Sequence, residues 1–270
     1  MSRFKHYRVR PGAPFRLADI DPAATPFLPE AEHHQREALE LLADELDRWQ
    51  NLLHAEGRRK LLLVLQGMDT SGKDGTIRWV FSRTSPLGVR VAAFKAPTEE
   101  ERARDFLWRC HQVVPRAGEI VVWNRSHYED VLVPAVEGWL DKAELKRRYA
   151  QINDFERLLT ETGTVIVKCL LHIDKDEQRQ RLQARIDDPG KHWKFSLGDL
   201  DVRRKWDTYQ LAYERAIRAT STAHAPWTVV PANDKTHRNL MIARLLIKVL
   251  RDMKISPAPA NPAYAGLKVE

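Results

Sequence analysis

The chain has 270 residues, of which 43% are apolar and 30% are charged, with 12 glycines and 15 prolines. This balance excludes a disordered or fibrous protein and indicates a soluble globular one, and the length is within reach of a single α/β domain with appendages. The net charge of +7 favours a polyanionic partner, which could be a nucleotide, a nucleic acid or another phosphate chain.

The cysteines and the N-terminus bear on the compartment. Cys110 and Cys169 have no partner motif, which favours a reducing compartment over a disulfide framework or a zinc site. Residues 1–20 are basic but lack the apolar core of a signal peptide, and no run approaches the roughly eighteen apolar residues of a membrane span. We therefore expect a cytoplasmic protein with no membrane partner.

The first 56 residues predict an arm followed by a long helix. Residues 1–30 are rich in proline and alanine and have no sustained period, which predicts an extended N-terminal arm. Apolar residues then recur three and four apart from Leu39 to Leu53, on one face of a helix that Gly57 ends. This face can pack on its own domain or form a seam between two copies, and the spacing leaves both open.

After this helix, continuous apolar runs alternate with amphipathic segments. The runs lie at 61–66, 89–94, 119–124, 164–173 and 227–232. The helical patterns lie at 75–82, 98–111, 141–162, 174–187, 199–220 and 234–251. Strands that are apolar on both faces are typical of a parallel sheet covered by helices. We predict a three-layer α/β domain at 31–252, with a mostly parallel sheet of about five strands, and a mobile C-terminal tail at 253–270.

A glycine-rich loop follows the first predicted strand. Gly67, Gly72 and Lys73 fit the pattern G-x-x-x-x-G-K between an apolar strand and a segment that can begin a helix. The backbone N–H groups of such a loop, the helix end and the lysine all attract phosphate. The predicted phosphate ligands of the loop are Gly67, Thr70, Ser71, Gly72, Lys73, Asp74 and Gly75.

Two carboxylates in this loop are unusual for a phosphate site. Asp74 stands where a serine or threonine usually follows the lysine, and Asp69 lies earlier in the loop. A carboxylate beside bound phosphates is repelled by them unless a divalent cation lies between. We predict that Asp69 holds a metal or organises the phosphates, and that Asp74 caps the helix or is solvated.

A second polar cluster, "VVWNRSHYEDVLV", follows the third predicted strand. The carboxyl ends of parallel strands open into the crevice where ligands bind in α/β sheets. Arg125 can bind phosphate through its fork of donors, and Glu129 or Asp130 can help to hold magnesium. The same charges could instead form a surface ion-pair cluster. The candidate nucleotide contacts are Asn124, Tyr128, Glu129 and Glu137.

The segment at about 174–198 has the composition of a lid. Arg181 and Arg185 are four residues apart and share a helix face, and Lys191 and Lys194 follow a helix break. Basic residues in this arrangement can close over phosphates and exclude water. Because acids interleave with the bases, a solvated charged helix is an equal alternative.

Taken together, these motifs resemble the family-2 polyphosphate kinases. The matching stretches are "GMDTSGKDGTIR", "FKAPT", "NRSHYEDVLV", "DPGKHWKFS" and "TSTAHAPWTVVPA", spread over roughly residues 35–250. The resemblance implies a P-loop kinase fold with a helical lid and an N-terminal helical extension. It also implies dependence on Mg²⁺, with Mn²⁺ as a possible substitute, and reversible transfer of the terminal phosphoryl group between polyphosphate and a nucleotide. The second motif is similar to the subgroup that acts on both nucleoside mono- and diphosphates, so that AMP would pass through ADP to ATP.

The resemblance further implies roles for single residues. Asp69 and Lys73 would organise metal and phosphates, Arg125 would bind the transferring phosphoryl group, and Arg185 would act as the lid arginine. Many relatives have aspartate where this chain has Asn124, which leaves Asp69 and Glu129 as the candidate metal ligands. The basic residues expected along the phosphate chain are Lys95, Arg125, Arg181, Lys191 and Lys194.

Two other functions remain open from the sequence. An ATP-dependent nucleoside monophosphate kinase would share the loop, lid and sheet, and would differ in its donor. A non-catalytic nucleotide- or nucleic-acid-binding module would suit the basic charge, but the eight tryptophans are scattered instead of interleaved with a basic stripe. We expect a homo-oligomer and no specific nucleic-acid partner.

Overall fold

The computed structural model describes residues 2–257 and 261–269. Its strands are β1 (Lys60–Gln66), β2 (Val89–Ala93), β3 (Ile120–Asn124), β4 (Thr164–His172) and β5 (Trp227–Pro231). Its α-helices are α1 (Ser2–Tyr7), α2 (Glu32–Glu56), α3 (Lys73–Val80), α4 (Glu99–Arg102), α5 (Trp108–His111), α6 (Glu129–Val136), α7 (Lys142–Glu161), α8 (Lys175–Ile186), α9 (Leu197–Arg204), α10 (Trp206–Thr220) and α11 (Lys235–Asp252).

The five strands form one sheet in the order β2-β3-β1-β4-β5, and every neighbouring pair is parallel. From β1 the chain crosses to β2 at one edge of the sheet. From β3 it crosses in the other direction, over β1, and reaches β4. Because parallel crossovers are right-handed, the connecting helices lie on opposite faces of the sheet. Helices α2, α3 and α11 pack together, as do α6, α7 and α10. The predicted three-layer α/β architecture is confirmed.

All five predicted apolar runs form strands, with bounds that differ by at most a residue. The central strand β1 is buried from Leu61 to Gln66, and β5 is buried throughout. Covering both faces with helices explains why the apolar pattern of these strands is continuous and does not alternate.

Two predicted helices are broken in the structure. The pattern at 98–111 becomes α4 and α5, because the Asp105 carboxylate accepts a hydrogen bond from the backbone N–H of Leu107 and forms a turn instead of a helical repeat. The pattern at 199–220 becomes α9 and α10, which meet at Lys205. Helix α6 was not among the helical patterns read from the sequence.

The N-terminal segment differs from an extended arm. Residues 2–7 form α1, and Arg8 makes an isolated antiparallel bridge to Thr228 of β5. Five side chains of the segment are buried in the core, namely Tyr7, Val9, Leu17, Ile20 and Phe27. Apolar contacts between distant parts of the chain therefore hold a segment that has no periodic pattern of its own. In the described residues of the predicted tail, Pro262–Tyr264 form a 3-10 helix; residues 258–260 and 270 of the tail, and residue 1 of the arm, lie outside the described residues.

The long helix α2 packs on its own domain, against α11 and α3. Leu46 and Leu53 on its apolar face are fully buried, and Gly57 ends it with a φ of +65°, in the left-handed region that favours glycine. Within the described part of the chain, no helix combines the length and apolar character needed to cross a membrane.

Candidate active site

The loop between β1 and α3 requires glycine at two positions, Gly67 and Gly72. Gly72 is the N-cap of α3 with a φ of +102°, and no side chain caps the helix. A Cβ at Gly67 would come within 2.7 Å of the Leu171 carbonyl oxygen and the Ser71 Oγ. The first N–H groups of α3 are therefore available to an anion, which the positive end of the helix also attracts.

Lys73 lies inside this loop. Its Nζ donates hydrogen bonds to the carbonyl oxygens of Gly67 (2.7 Å) and Met68 (3.3 Å). Burial lowers the pKa of Lys73, and the nearby carboxylate of Asp69 opposes that effect. A phosphate group bound in the loop would favour the charged ammonium further.

The end of β3 lies beside this loop because β1 and β3 are neighbours. The register pairs Leu65 with Asn124, and the N–H of Arg125 donates to the Leu65 carbonyl oxygen at 3.0 Å. Arg125 has a φ of +63°, unusual for a residue with a side chain, and its Nη2 donates to the Asp69 Oδ1 at 2.9 Å. The Asn124 Nδ2 donates to the Asp74 Oδ1 at 2.5 Å. The two polar motifs therefore meet across adjacent strands.

Glu129 lies behind this pair of motifs. Burial raises the pKa of its carboxyl, while Arg125 and Lys73 act in the opposite direction. With the Gln66 amide in the orientation that satisfies both of its polar atoms, its nitrogen donates to Glu129 Oε1 at 3.0 Å. Glu129 is thus held next to the phosphate loop without facing the open cavity.

The candidate metal ligands are few. Among the residues that the structure describes, no group of three or more His, Cys, Asp or Glu side chains is arranged to hold a metal. Asp69 faces the cavity with its carboxylate partly exposed. Magnesium in proteins often takes only one or two carboxylates and completes its octahedron with water and substrate phosphates. One carboxylate beside a phosphate loop fits this mode of binding.

Helix α8 and the 3-10 helix Pro189–Lys194 cover one side of the loop. Arg181 donates to the carbonyl oxygens of Thr70 (2.9 Å) and Ala232 (2.7 Å), so it ties α8 to the phosphate loop. Arg185 donates to the Lys194 carbonyl oxygen at 2.8 Å and lies 3.6 Å from the carboxylate of Asp199. Both arginines of the predicted lid segment line the cavity, and Arg181 is in addition fixed to the phosphate loop.

These elements enclose a cavity of about 590 Å³ at the carboxyl edge of the sheet. Most of the predicted site residues line it: Asp69, Thr70, Gly72, Lys73, Asp74, Gly75, Lys95, Asn124, Arg125, Arg181, Arg185, Lys191 and Lys194. Four segments far apart in sequence therefore contribute their basic side chains to one space.

Several predicted residues do not line the cavity. Tyr128 is fully buried in the core, where its OH donates to the Glu156 Oε1 at 2.8 Å and accepts from the Lys168 Nζ at 2.9 Å. It is a core residue and not a nucleotide contact, because the turn at the end of β3 directs it away from the crevice. Glu137 forms an ion pair with Lys205, away from the cavity. The other predicted residues that do not line it are Gly67, Ser71 and Glu129.

The structure adds residues that were not among the predicted site residues. Lys235 and Arg238 of α11 line the cavity, as do Trp193 and Asp199 from the lid side. A signal was present for the first two, because α11 follows the carboxyl end of β5 at the edge of the sheet where ligands bind.

The site combines a strand, a glycine-rich loop with a buried lysine, and arginines that converge from a neighbouring strand and a covering helix. This combination defines a P-loop phosphotransferase. The model of the family "Polyphosphate kinase 2 (PPK2)" matches residues 30–257. The chain belongs to this family, which confirms the resemblance seen in its motifs.

Known proteins agree with this assignment over nearly the whole chain. The chain is 52% identical over 266 residues to an AMP/ADP-polyphosphate phosphotransferase of Meiothermus ruber, covering 98% of this chain and 100% of the relative. It is 39% identical to an ADP-polyphosphate phosphotransferase of Rhodopseudomonas palustris, covering 96% and 93%. A crystal structure of polyphosphate kinase 2 from Arthrobacter aurescens superposes with a TM-score of 0.92 at 47% identity, covering 97% of this chain and 94% of that one.

Proposed function

We propose that this protein transfers the terminal phosphoryl group between inorganic polyphosphate and the nucleotides AMP and ADP, in both directions. The observation that carries the proposal is the convergence of Lys73, Arg125 and Arg185 on one cavity beside the phosphate loop. Both substrates are polyanions, so a site that brings them together must above all neutralise charge. The relatives named for AMP and ADP with polyphosphate support the choice of substrates.

The chemistry needs positioning more than proton transfer. A nucleotide phosphate oxygen is already ionised at neutral pH, so it can attack in line without a strong general base. Lys73 would hold the oxygens of the group bound in the loop, and Arg125 would bind the transferring phosphoryl group between the loop and β3. Arg125 pairs with Asp69 in this structure, so phosphate would share or replace that partner.

Arg185 would contribute from the lid side. Among the described residues, its guanidinium has two polar partners, a backbone carbonyl at 2.8 Å and a carboxylate at 3.6 Å, which leaves donors for phosphate oxygens. Closure of the lid segment over the cavity would exclude water and strengthen each of these charge interactions.

Mg²⁺ is the proposed cofactor, with Asp69 as the protein ligand that faces the phosphates. When bound, the ion would neutralise phosphate oxygens and remove the repulsion between them and the Asp69 carboxylate. Glu129, partly buried near Lys73 and Arg125, would help to orient these groups from behind.

The test is a coupled set of assays with the purified protein. AMP and ADP are supplied separately with long-chain polyphosphate and Mg²⁺, and nucleotide products are resolved over time. ATP formed from ADP with no other nucleotide present supports the proposal, and ADP followed by ATP from AMP supports the two-step activity. Phosphorylation of AMP by ATP but not by polyphosphate would instead identify an ordinary nucleoside monophosphate kinase. A Lys73→Met variant is the control for contaminating kinases.

A further inference from the structure

Arg238 on α11 is a buried charge at the site. Its side chain is only 2% exposed, yet it lines the cavity beside the phosphate loop. Its Nε and Nη2 donate to the Asn239 Oδ1 at 3.1 and 2.9 Å, and its Nη1 lies 3.4 Å from the Ser71 carbonyl oxygen. All three contacts are to neutral acceptors.

A guanidinium has five N–H donors, so these contacts leave two of them unused. No carboxylate of the described residues forms an ion pair with Arg238, and burial together with the positive charge of Arg181 lowers its pKa to about 9. The Asp234 carboxylate opposes this shift, but it caps the helix through the His237 N–H. A buried cation without an anionic partner is costly unless a ligand supplies the anion.

The guanidinium lies directly against the phosphate loop. A Cβ on Gly72 would overlap with its Nη1, and a Cβ on Gly75 would lie 3.3 Å from its Nη2. Only glycine therefore allows α11 to bring this charge so close to the backbone at the start of α3. A phosphate held by the loop is within the local field of Arg238 as well as of Lys73.

Lys235, one helical turn earlier, extends the positive charge outward. It lines the cavity of the site and also a second cavity of about 920 Å³ between α2, α3 and α11. His33 and Arg36 of α2 line that second cavity as well, whereas Arg83 there is already paired with Asp44 and Glu40. A basic path thus leads from the phosphate loop across the start of α11.

We propose that Arg238 and Lys235 form a further subsite for internal phosphate groups of the polyphosphate chain. The chain would run from the reacting position toward the surface between α2 and α11. This proposal rests on polyphosphate being the substrate of the site. The subsite favours a chain over a nucleotide because a nucleotide has few phosphates to extend past the loop.

The experiment measures binding of long-chain sodium polyphosphate and, separately, of ADP to the full chain by calorimetry at several salt concentrations. Arg238→Met and Lys235→Met are compared with Lys248→Met, which removes the same charge from the far end of the same helix, where Lys248 pairs with Asp252. Each subsite variant should weaken polyphosphate binding about tenfold or more and reduce the slope of log K against log salt by about 1. The control variant and ADP binding should change little.

Stability provides a readout that a purely structural arginine would not give. Removing a buried charge that lacks an anionic partner should leave the Tm of Arg238→Met equal to or above that of the wild type without ligand. The rise in Tm on adding polyphosphate should be smaller than in the wild type, because the ligand no longer neutralises that charge.

The outcomes separate the two proposals. Unchanged polyphosphate affinity and salt slope in both variants, with an active wild type, would overturn the subsite and leave the proposed function intact. A lower Tm of Arg238→Met without ligand, or weaker binding of ADP alone, would also overturn it. A wild type that binds no polyphosphate would contradict the proposed function itself.

Discussion

Removing the lysine at the centre of the buried network beneath the site should destabilise the protein strongly. The Nζ of Lys168 donates to the Glu156 Oε2 (2.6 Å), the Tyr128 OH (2.9 Å) and the Thr220 carbonyl oxygen (2.8 Å). The side chains of Lys168 and Glu156 are at most 1% exposed. His127 approaches the other Glu156 oxygen at 3.2 Å. The network therefore anchors the segment that carries Arg125.

The expected magnitude follows from this burial. Lys168→Met would leave Glu156 as a buried charge without its main partner, which costs about 3–5 kcal/mol. For a chain of this size each kcal/mol lowers Tm by about 2–4 °C, so the loss should be about 6–20 °C. Although burial alone raises the pKa of Glu156, Lys168 and His127 hold it below the usual value. The stabilisation of the folded state by the ionised Glu156 is present above the ordinary pKa of a glutamate and is lost as the pH falls. The variant should therefore lose more stability at pH 7 than near pH 4.

The assay is thermal and urea unfolding at both pH values. Arg157→Met is the control, because Arg157 forms exposed ion pairs with Asp154 and Glu161, and such pairs contribute little to stability. Adding Glu156→Gln to Lys168→Met should recover part of the loss, since the uncompensated charge is then gone. A single variant as stable as the control, or a double variant less stable than the single one, would refute the account of this network.

Further predictions concern the site. Arg125→Ala and Arg185→Ala should each lower turnover at least about a hundredfold while Tm changes little, because phosphoryl transfer depends on the charge of these arginines. Turnover near that of the wild type in both variants would contradict their roles. EDTA should abolish transfer and added Mg²⁺ restore it, and full activity in EDTA would disprove the metal requirement. Gly72→Ala should abolish polyphosphate binding because φ is +102° and the Cβ has no space, whereas Gly138→Ala, at φ +72° in open space, should bind normally. Because burial raises the pKa of Glu129, its ionisation costs stability as the pH rises, so Glu129→Gln should raise Tm more at pH 7 than at pH 4; equal shifts would argue against this.

The features that were predictable from sequence are those that nearby residues specify. A strand covered on both faces is mostly apolar, so β1 and β4 were visible as runs before the sheet was known, even though Lys168 interrupts β4. The phosphate loop was visible because Gly67, Gly72 and Lys73 lie within seven consecutive residues. Arg125 could be placed at the site because it follows a strand directly, and parallel strands end at a common edge.

Other features depend on contacts that no local pattern encodes. Tyr128 lies in the same motif as Arg125, yet it packs against Trp227 and bonds to Glu156, from separate parts of the chain. The described part of the arm, residues 2–30, packs onto the core through single apolar side chains that follow no regular spacing.

The sequence by itself determined the class of this protein: a parallel α/β sheet, a phosphate loop and the motifs of the polyphosphate kinase 2 family. Only the tertiary structure decided which charges share the cavity. Arg238 approaches a loop carbonyl 167 positions away in the chain, and it does so because the two adjoining glycines leave room for it. Local residue order specifies strands, loops and helices, whereas the position of a side chain relative to distant residues depends on how those elements pack.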